Sequence, residues 1–124
     1  MKNIKNFEIC SRAIIIKDGR ILLPKPKNES WYFFPGGHID FGEKAEKALR
    51  RELKEELSVE IEKVEFIGTV ENCYDEKSVR HHELDIVFAV NLGNQEIQDV
   101  EDHIDFHWID LEKLEKADIL SNGF

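Results

Sequence analysis

The chain is poor in the residues that build disulfide or zinc scaffolds. Its two cysteines, Cys10 and Cys73, are too few and too far apart for a disulfide framework. It contains no CxxC pair and no Cys/His spacing typical of zinc sites. Long apolar runs are also lacking: the start, MKNIKNFEIC, does not resemble a signal peptide, and no later stretch could span a membrane. We therefore expect a cytoplasmic location and no membrane partner.

Positive charge is scarce as well. Seventeen Lys and Arg residues face 26 Asp and Glu residues, for a formal net charge of -9. This balance disfavours general binding to nucleic-acid backbones, so we expect no nucleic-acid partner. An acidic protein can still bind phosphates when divalent cations lie between its carboxylates and the ligand. The length of 124 residues predicts one domain, residues 1–124, with a modest core.

Strand, helix and turn signals alternate along the chain. An Asp-Gly pair between apolar runs, Asp18-Gly19, predicts a hairpin, and Pro24 and Pro26 are expected to end its second strand. Period-two and helical patterns predict strands at 7–16, 21–23, 31–34, 61–70, 84–92 and 104–109, a polar loop at 93–103, and helices at 44–57 and 111–117. This order predicts an α/β or α+β domain with a mixed sheet.

The first helix concentrates carboxylates on one face. Glu52, Glu55 and Glu56 lie at helical spacings of three and four, where like charges repel. They border a stripe of leucines, while the lysines of the helix lie on the opposite side. A solvated charged surface is the simpler alternative. Carboxylates crowded at a partly buried edge would repel or protonate without a cation, and oxygen-only ligands suit Mg²⁺ or Mn²⁺. The pattern therefore predicts half of a metal site.

These residues also match a family motif. Gly37, then Glu43, then the run from Arg51 to Val59 resembles the Nudix box of the Nudix hydrolases over residues 37–59. The match fails once, at Ser58, where the family usually has glycine, and we interpret this as a less favourable helix end. The resemblance implies a Nudix α/β/α sandwich with a mixed β-sheet. It also indicates a shortened C-terminal helix, which leaves open a truncated sequence or a homodimer whose partner covers that sheet face.

The resemblance further implies roles for the box residues. Nudix enzymes cleave the pyrophosphate of a nucleoside diphosphate linked to another group, using a metal-activated water. More than one Mg²⁺ or Mn²⁺ ion is implied, and either Glu52 or Glu55 as the residue that orients or deprotonates the water. The implied metal ligands are the carboxylates of Glu52, Glu55 and Glu56 and the carbonyl of Gly37. Arg51 is expected to hold a box glutamate in place, and Glu43 to support the loop.

Further candidates lie around the box. Gly36 and Gly37 allow the backbone to approach a diphosphate closely. Small Nudix proteins resemble this chain around residues 80–83, so Arg80 or His82 could contact phosphate and Glu83 could face the metals. The remaining candidates have bland alternatives as solvated loop or core residues: Glu101 or Asp102, then Glu96 and Asp99, as an extra carboxylate; Lys25 and Lys27 as phosphate contacts; Tyr32 or Phe34 as stacking aromatics.

The favoured function is a Nudix pyrophosphohydrolase acting on a small nucleoside diphosphate derivative, with ADP-ribose first. A MutT-like nucleoside triphosphate pyrophosphatase and a hydrolase of sugar nucleotides or dinucleoside polyphosphates remain alternatives. A catalytically silent nucleotide sensor is disfavoured because all box glutamates are present. RNA cap removal is disfavoured because the chain lacks a basic track.

Overall fold

The computed structural model describes residues 4–98 and 100–116, with side chains from residue 7 onward. Its elements, in chain order, are β1 (Ile4–Lys17), β2 (Arg20–Pro26), β3 (Gly36–His38), α1 (Ala45–Leu57), β4 (Lys63–Glu76), β5 (Val79–Asn91), β6 (Ile104–Asp110) and a 3₁₀ helix (Leu111–Lys116). The first helix and the Asp18-Gly19 hairpin are confirmed, the hairpin turn having positive φ at both residues.

Strand β1 organises the sheet. It pairs in parallel with β5 on one side, and antiparallel with β3 and the start of β2 on the other. The order across the sheet is β4-β5-β1-β2-β6, with β3 pairing with β1 off this path. One parallel pair within an otherwise antiparallel arrangement makes the sheet mixed, as predicted.

Helix α1 covers one face of the sheet. Its leucine stripe, Leu49, Leu53 and Leu57, is fully buried against Ala13 and Ile15 of β1 and their neighbours. Alternate residues of a strand point to opposite faces, so Arg12 projects away from the helix. Each such leucine contributes about 1.5–3 kcal/mol by burial, which is why the helix can carry repelling carboxylates on its other edge.

The aromatic segment at 31–34 was predicted as a strand and is not one. Only Tyr32 makes an isolated bridge there, and the short strand β3 begins two residues after this segment, at Gly36. Aromatic residues favour strands, but here Phe33 and Phe34 project from a connecting segment. Gly36 allows β3 to approach β1 closely, and Gly37 allows it to approach α1.

Strand β2 was expected to end at its prolines, but it continues to Pro26. Beyond Ile21 its strand partner among the described elements is β6. The carbonyls of Pro24 and Pro26 accept from Phe33 and Glu29, away from β6. In an antiparallel strand the N–H of a residue points to the same side as its carbonyl. The missing proline N–H groups therefore cost β2 no bond to β6.

The β4–β5 hairpin is longer than the sequence pattern predicted. Both strands run to a tight turn at Lys77-Ser78, where both residues have positive φ. The polar run between residues 71 and 83 hides this pairing because it lacks apolar alternation. After β6 the predicted final helix is a 3₁₀ helix, and its expected last residue, Ala117, lies outside the described residues. No helix in the described ranges is long and apolar enough to cross a membrane.

Helix α1 ends at Ser58 in the left-handed conformation, with φ 57° and ψ 42°. The Ser58 N–H closes the helix by donating to the Lys54 carbonyl at 3.0 Å. Since this region disfavours residues with a Cβ, Ser58→Gly is expected to stabilise the protein by about 0.5–1 kcal/mol in urea unfolding. Ser58→Ala is the control and should give no gain. A loss of stability on introducing glycine would contradict this interpretation of the helix end.

Candidate active site

The β3 segment meets helix α1 through two glycines. The Gly36 N–H donates to Glu56 Oε1 at 3.3 Å. At Gly37, an added Cβ would lie only 2.7 Å from the Glu52 carboxyl carbon. The carboxylates of the helix therefore lie directly against the backbone of β3, and any side chain at residue 37 would occupy the space of Glu52.

Gly36 is also constrained from the other side. It has φ 130°, and a Cβ there would lie 2.0 Å from the Ser11 carbonyl oxygen of β1. The neighbouring Pro35 carbonyl accepts from the Ala13 N–H at 2.9 Å. The turn before β3 is thus clamped between β1 and α1.

Arg51 organises the acidic residues around the helix. Its guanidinium donates two hydrogen bonds to Glu43, at 2.7 and 2.9 Å, and one to Glu52 at 2.9 Å. A further bond reaches the His38 carbonyl at 3.1 Å. The Arg51 bonds, aided by the Asp40 N–H, lower the pKa of Glu43 to about 2. Arg51 therefore fixes the loop and orients Glu52 together.

Glu56 is a buried carboxyl, only 6% exposed. Burial, followed by the charge of Glu52, raises its pKa to about 8, despite the opposing hydrogen bond from Gly36 and the charge of Arg12. A carboxyl in this state lacks a sufficient cationic partner. The donor set around it consists of oxygen atoms, which suits a hard divalent cation. The residues present therefore fit a Mg²⁺ or Mn²⁺ site.

Glu101 lies on the neighbouring loop, and its charge acts on this cluster. Its charge also contributes to the raised pKa of Glu56. The loop is brought there by the Val100 N–H, which approaches the Glu56 carbonyl at 3.4 Å. Glu96 and Asp102 are exposed, and Asp99 lies outside the described residues.

A cavity of about 360 Å³ opens on the sheet face opposite α1. Phe33 and Phe34 line one side, and aliphatic residues of the sheet, including Ile14 and Val87, line another. Its polar wall consists of Arg12, Asn72, Tyr74, Glu83 and Asp85. Phe34 therefore faces this cavity, whereas Tyr32 packs edge-on against His107.

Arg12 lies at the centre of the polar wall. It donates to the Phe34 carbonyl at 3.1 Å and to Glu83 at 3.4 Å, and it lies 3.6 Å from Asp85. The Tyr74 hydroxyl donates a short bond to Glu83. Burial alone would raise the pKa of Glu83. The charge of Arg12 and the hydrogen bonds that Glu83 accepts outweigh burial and lower this pKa. Burial and the bond to Glu83 raise the pKa of Asp85 to about 7.

Arg12 and Asp85 were missed by the sequence reasoning. The available signal was an arginine inside the apolar run of β1, at a position that must face away from the helix. Glu83, which the sequence suggested could face the metals, contacts Arg12 and Tyr74 on the cavity side of the sheet. His82 points to the other face, where it contacts Glu71 at 2.6 Å.

Arg80 and Lys25, two basic residues predicted to bind substrate, contact other parts of the protein. Arg80 forms an ion pair with Asp75 at 3.1 Å in the β4–β5 hairpin. Lys25, near the end of β2, donates to the carbonyls of Pro26 and Glu29. Substrate binding by Arg80 or Lys25 therefore stays a prediction.

Comparisons with known proteins identify the family. The NUDIX domain family matches residues 10–123. The chain is 36% identical over 107 residues to an ADP-ribose pyrophosphatase of Methanocaldococcus jannaschii, covering 84% of this chain and 62% of that protein. This chain thus spans less than two thirds of that relative's length.

Solved structures give the same fold. A MutT NUDIX hydrolase from Burkholderia pseudomallei is 27% identical, with a TM-score of 0.74, covering 96% of this chain and 91% of its own. The NUDIX domain of Shewanella oneidensis NrtR, crystallised with ADP ribose, is 20% identical, with a TM-score of 0.73, covering 94% and 80%. With the family matched over most of its length and the box glutamates gathered at β3, this chain belongs to the Nudix hydrolase family.

Proposed function

We propose that the protein hydrolyses the pyrophosphate linkage of nucleoside diphosphate derivatives, with ADP-ribose as the preferred substrate. The observation that carries this proposal is the convergence of Glu52 and Glu56 on the backbone of Gly36 and Gly37. Three carboxylates on one helix face, two of which lie against the glycine backbone of β3, form a site for divalent cations bound to a diphosphate.

The ligands we assign are the carboxylates of Glu52, Glu55 and Glu56 and the Gly37 carbonyl. When bound, Mg²⁺ or Mn²⁺ neutralises phosphate charge and lowers the pKa of a coordinated water. More than one ion suits this number of carboxylates. Nudix hydrolases generally use divalent cations, and the ion and its number are part of the proposal.

Two carboxylates could orient or deprotonate the attacking water. Glu52 is held by Arg51 at 2.9 Å and its side chain is only 17% exposed. Glu55 is 55% exposed, and its contact with Arg51 is longer, at 3.5 Å. Glu55 is more accessible to water and less tightly bound. We therefore assign to Glu55 the role of the base that deprotonates the attacking water, and to Glu52 the role of orienting that water. Glu101 approaches from the loop as an additional carboxylate.

The cavity beside Arg12 is the site we assign to the nucleoside. Its volume suits a planar base, and Phe34 offers an aromatic face for stacking. Arg12 of the cavity wall donates to the Phe34 carbonyl, two residues before Gly36, and its charge acts on Glu56. A base in the cavity would therefore place its diphosphate near the carboxylates. The relatives support ADP-ribose: one is named an ADP-ribose pyrophosphatase, and the NrtR domain was crystallised with it.

A nucleoside triphosphate pyrophosphatase activity is the second candidate, since several structural neighbours are named MutT proteins. Substrate choice lies in loops and cavity residues, which the shared fold does not fix. Homodimer formation and a cytoplasmic location stay predictions from the sequence.

The test is a substrate panel with the purified protein, in Mg²⁺, in Mn²⁺ and in EDTA. The panel contains ADP-ribose, a sugar nucleotide, a dinucleoside polyphosphate and the common nucleoside triphosphates. We expect kcat/KM for ADP-ribose to exceed the others by about tenfold or more, because even one missing methylene contact in a binding pocket costs about 1–3 kcal/mol.

Each other outcome has a definite meaning. Faster release of pyrophosphate from a triphosphate would replace the preferred substrate with the MutT-like alternative. Binding of ADP-ribose without cleavage in either metal would overturn the enzyme proposal in favour of a sensor.

A further inference from the structure

We propose that Arg12 is a positioning residue, which holds the turn before β3 so that Gly36 and Gly37 align with the metal-binding carboxylates. Buried Glu83 and Asp85, on the far side of Arg12, hold its guanidinium in place. This inference rests on the proposed function for its catalytic meaning, while its geometric part concerns the protein alone.

The turn before β3 is attached to β1 by two hydrogen bonds. Arg12, with a side chain 15% exposed, donates to the Phe34 carbonyl at 3.1 Å. The adjacent Ala13 N–H donates to the Pro35 carbonyl at 2.9 Å. Two consecutive carbonyls of the turn are therefore held by two consecutive residues of one central strand.

The turn is directly connected to the proposed metal ligands. The residue after Pro35 is Gly36, whose N–H donates to Glu56, and the next is Gly37, which lies against Glu52. Only one residue separates the carbonyl bonded to Arg12 from the N–H bonded to Glu56. A shift of the Phe34 carbonyl would therefore displace the Gly37 carbonyl, and displacements of about 1 Å can cost 10²-fold in rate.

The acidic pair, Glu83 and Asp85, holds the Arg12 guanidinium in place. A guanidinium has donors in several fixed directions, so it can contact the Phe34 carbonyl and Glu83 together while facing Asp85. Tyr74 fixes Glu83 in turn. Lysine, a point charge on a flexible stem, cannot reproduce this set.

The same acidic pair could be interpreted as a metal site, because ligand atoms of Cys10, Glu83 and Asp85 lie within 4.8 Å of one another. The buried guanidinium of Arg12 contacts both carboxyl groups, so a second cation there would meet an existing positive charge. The pair is therefore better explained as the anchor of Arg12.

The test compares Arg12→Lys with wild type, using Arg20→Lys as the matched control. Arg20 is an exposed arginine paired with Asp110 at 3.0 Å, on the neighbouring strand. Mn²⁺ affinity is measured on the substrate-free protein by electron paramagnetic resonance, and kcat and KM are measured for the best substrate of the panel. Loss of a supporting contact typically weakens metal binding or activity 10–100-fold.

We expect Arg12→Lys to bind Mn²⁺ about tenfold more weakly and to lose about tenfold or more in kcat, with KM changed less than about twofold. Arg20→Lys should match wild type. A rise in KM alone would show that Arg12 contacts substrate directly and would overturn the positioning role. A lower melting temperature with unchanged Mn²⁺ affinity and kcat would reduce Arg12 to a structural residue.

A second variant keeps the test decisive if Arg12→Lys does not fold. Glu83→Gln retains the shape and an acceptor for Tyr74 while removing one anchor of Arg12. It should weaken Mn²⁺ binding about threefold or more, a fraction of the effect expected for a supporting contact. Wild-type Mn²⁺ affinity in Glu83→Gln would refute the proposal. If wild type cleaves nothing but the Mn²⁺ differences persist, the proposed function fails and the positioning role stands.

Discussion

Glu56→Gln is expected to reduce kcat by about 10³-fold or more. In the proposed site it removes a metal ligand, whereas the loss of a supporting contact already costs 10–100-fold. Glutamine preserves the size of the side chain and can still accept the Gly36 N–H. The fold should therefore be retained. Activity on the best substrate of the panel, measured at saturating Mg²⁺, checks the prediction.

The same substitution should stabilise the metal-free protein at high pH. Burial and Glu52 raise the pKa of Glu56 from its ordinary 4.5 to about 8 in the folded chain. The unfolded chain therefore releases this proton first. The contribution of Glu56 to stability is full below pH 4.5 and is lost as pH rises through 8. Glu56→Gln removes this loss, and one pKa unit corresponds to about 1.4 kcal/mol.

Urea unfolding in EDTA between pH 5 and pH 9 tests this. The stability advantage of Glu56→Gln over wild type should grow across that range, and Mg²⁺ should reduce it by binding to wild type alone. Glu60→Gln is the control, since Glu60 is exposed and paired with Lys54. Parallel pH curves for wild type and Glu56→Gln would show that Glu56 is not the desolvated carboxyl described above.

Gly36→Ala is expected to destabilise the protein by about 3–5 kcal/mol, within the range caused by severe strain. Its Cβ would lie 2.0 Å from the Ser11 carbonyl oxygen, and backbone oxygen cannot move aside as a flexible side chain can. The strand pairing between β3 and β1 would have to separate. Thermal or urea unfolding measures the loss.

Gly42→Ala separates steric overlap from backbone strain. Gly42 also has positive φ, 84°, but a Cβ there meets nothing within 4 Å. It should cost only about 1 kcal/mol, the strain of the conformation itself. Equal losses in the two variants would mean that φ, and not the close approach of β1, determines the requirement at Gly36.

The parts that sequence predicted well are those determined locally. Helix α1 and its acidic face follow from residue spacing, and the unfavourable end at Ser58 follows from one position of the motif. The segment at 31–34 was mistaken for a strand because aromatic residues favour strands. Its actual path depends on carbonyls held by Arg12 and Ala13, which no local pattern reveals.

Arg12 illustrates what sequence could not supply. Its partner Glu83 lies 71 residues away, and their pairing depends on the register between β1 and β5. Glu83 was noticed as a polar residue entering a strand, but the direction of its side chain follows only from that register. The cavity wall that these residues form is thus a product of the sheet topology.

The parallel pairing of β1 with β5 also constrains how the chain folds. Each of its aligned residues, such as Ile4 with Val79 and Ile15 with Val90, meets a partner 75 residues later. Closing so large a loop precedes most of the contacts that reward it, which slows folding. During synthesis the central strand must wait for residue 90 to leave the ribosome. An isolated fragment ending at Val59 would contain the whole Nudix box, yet lack the strand that β1 needs.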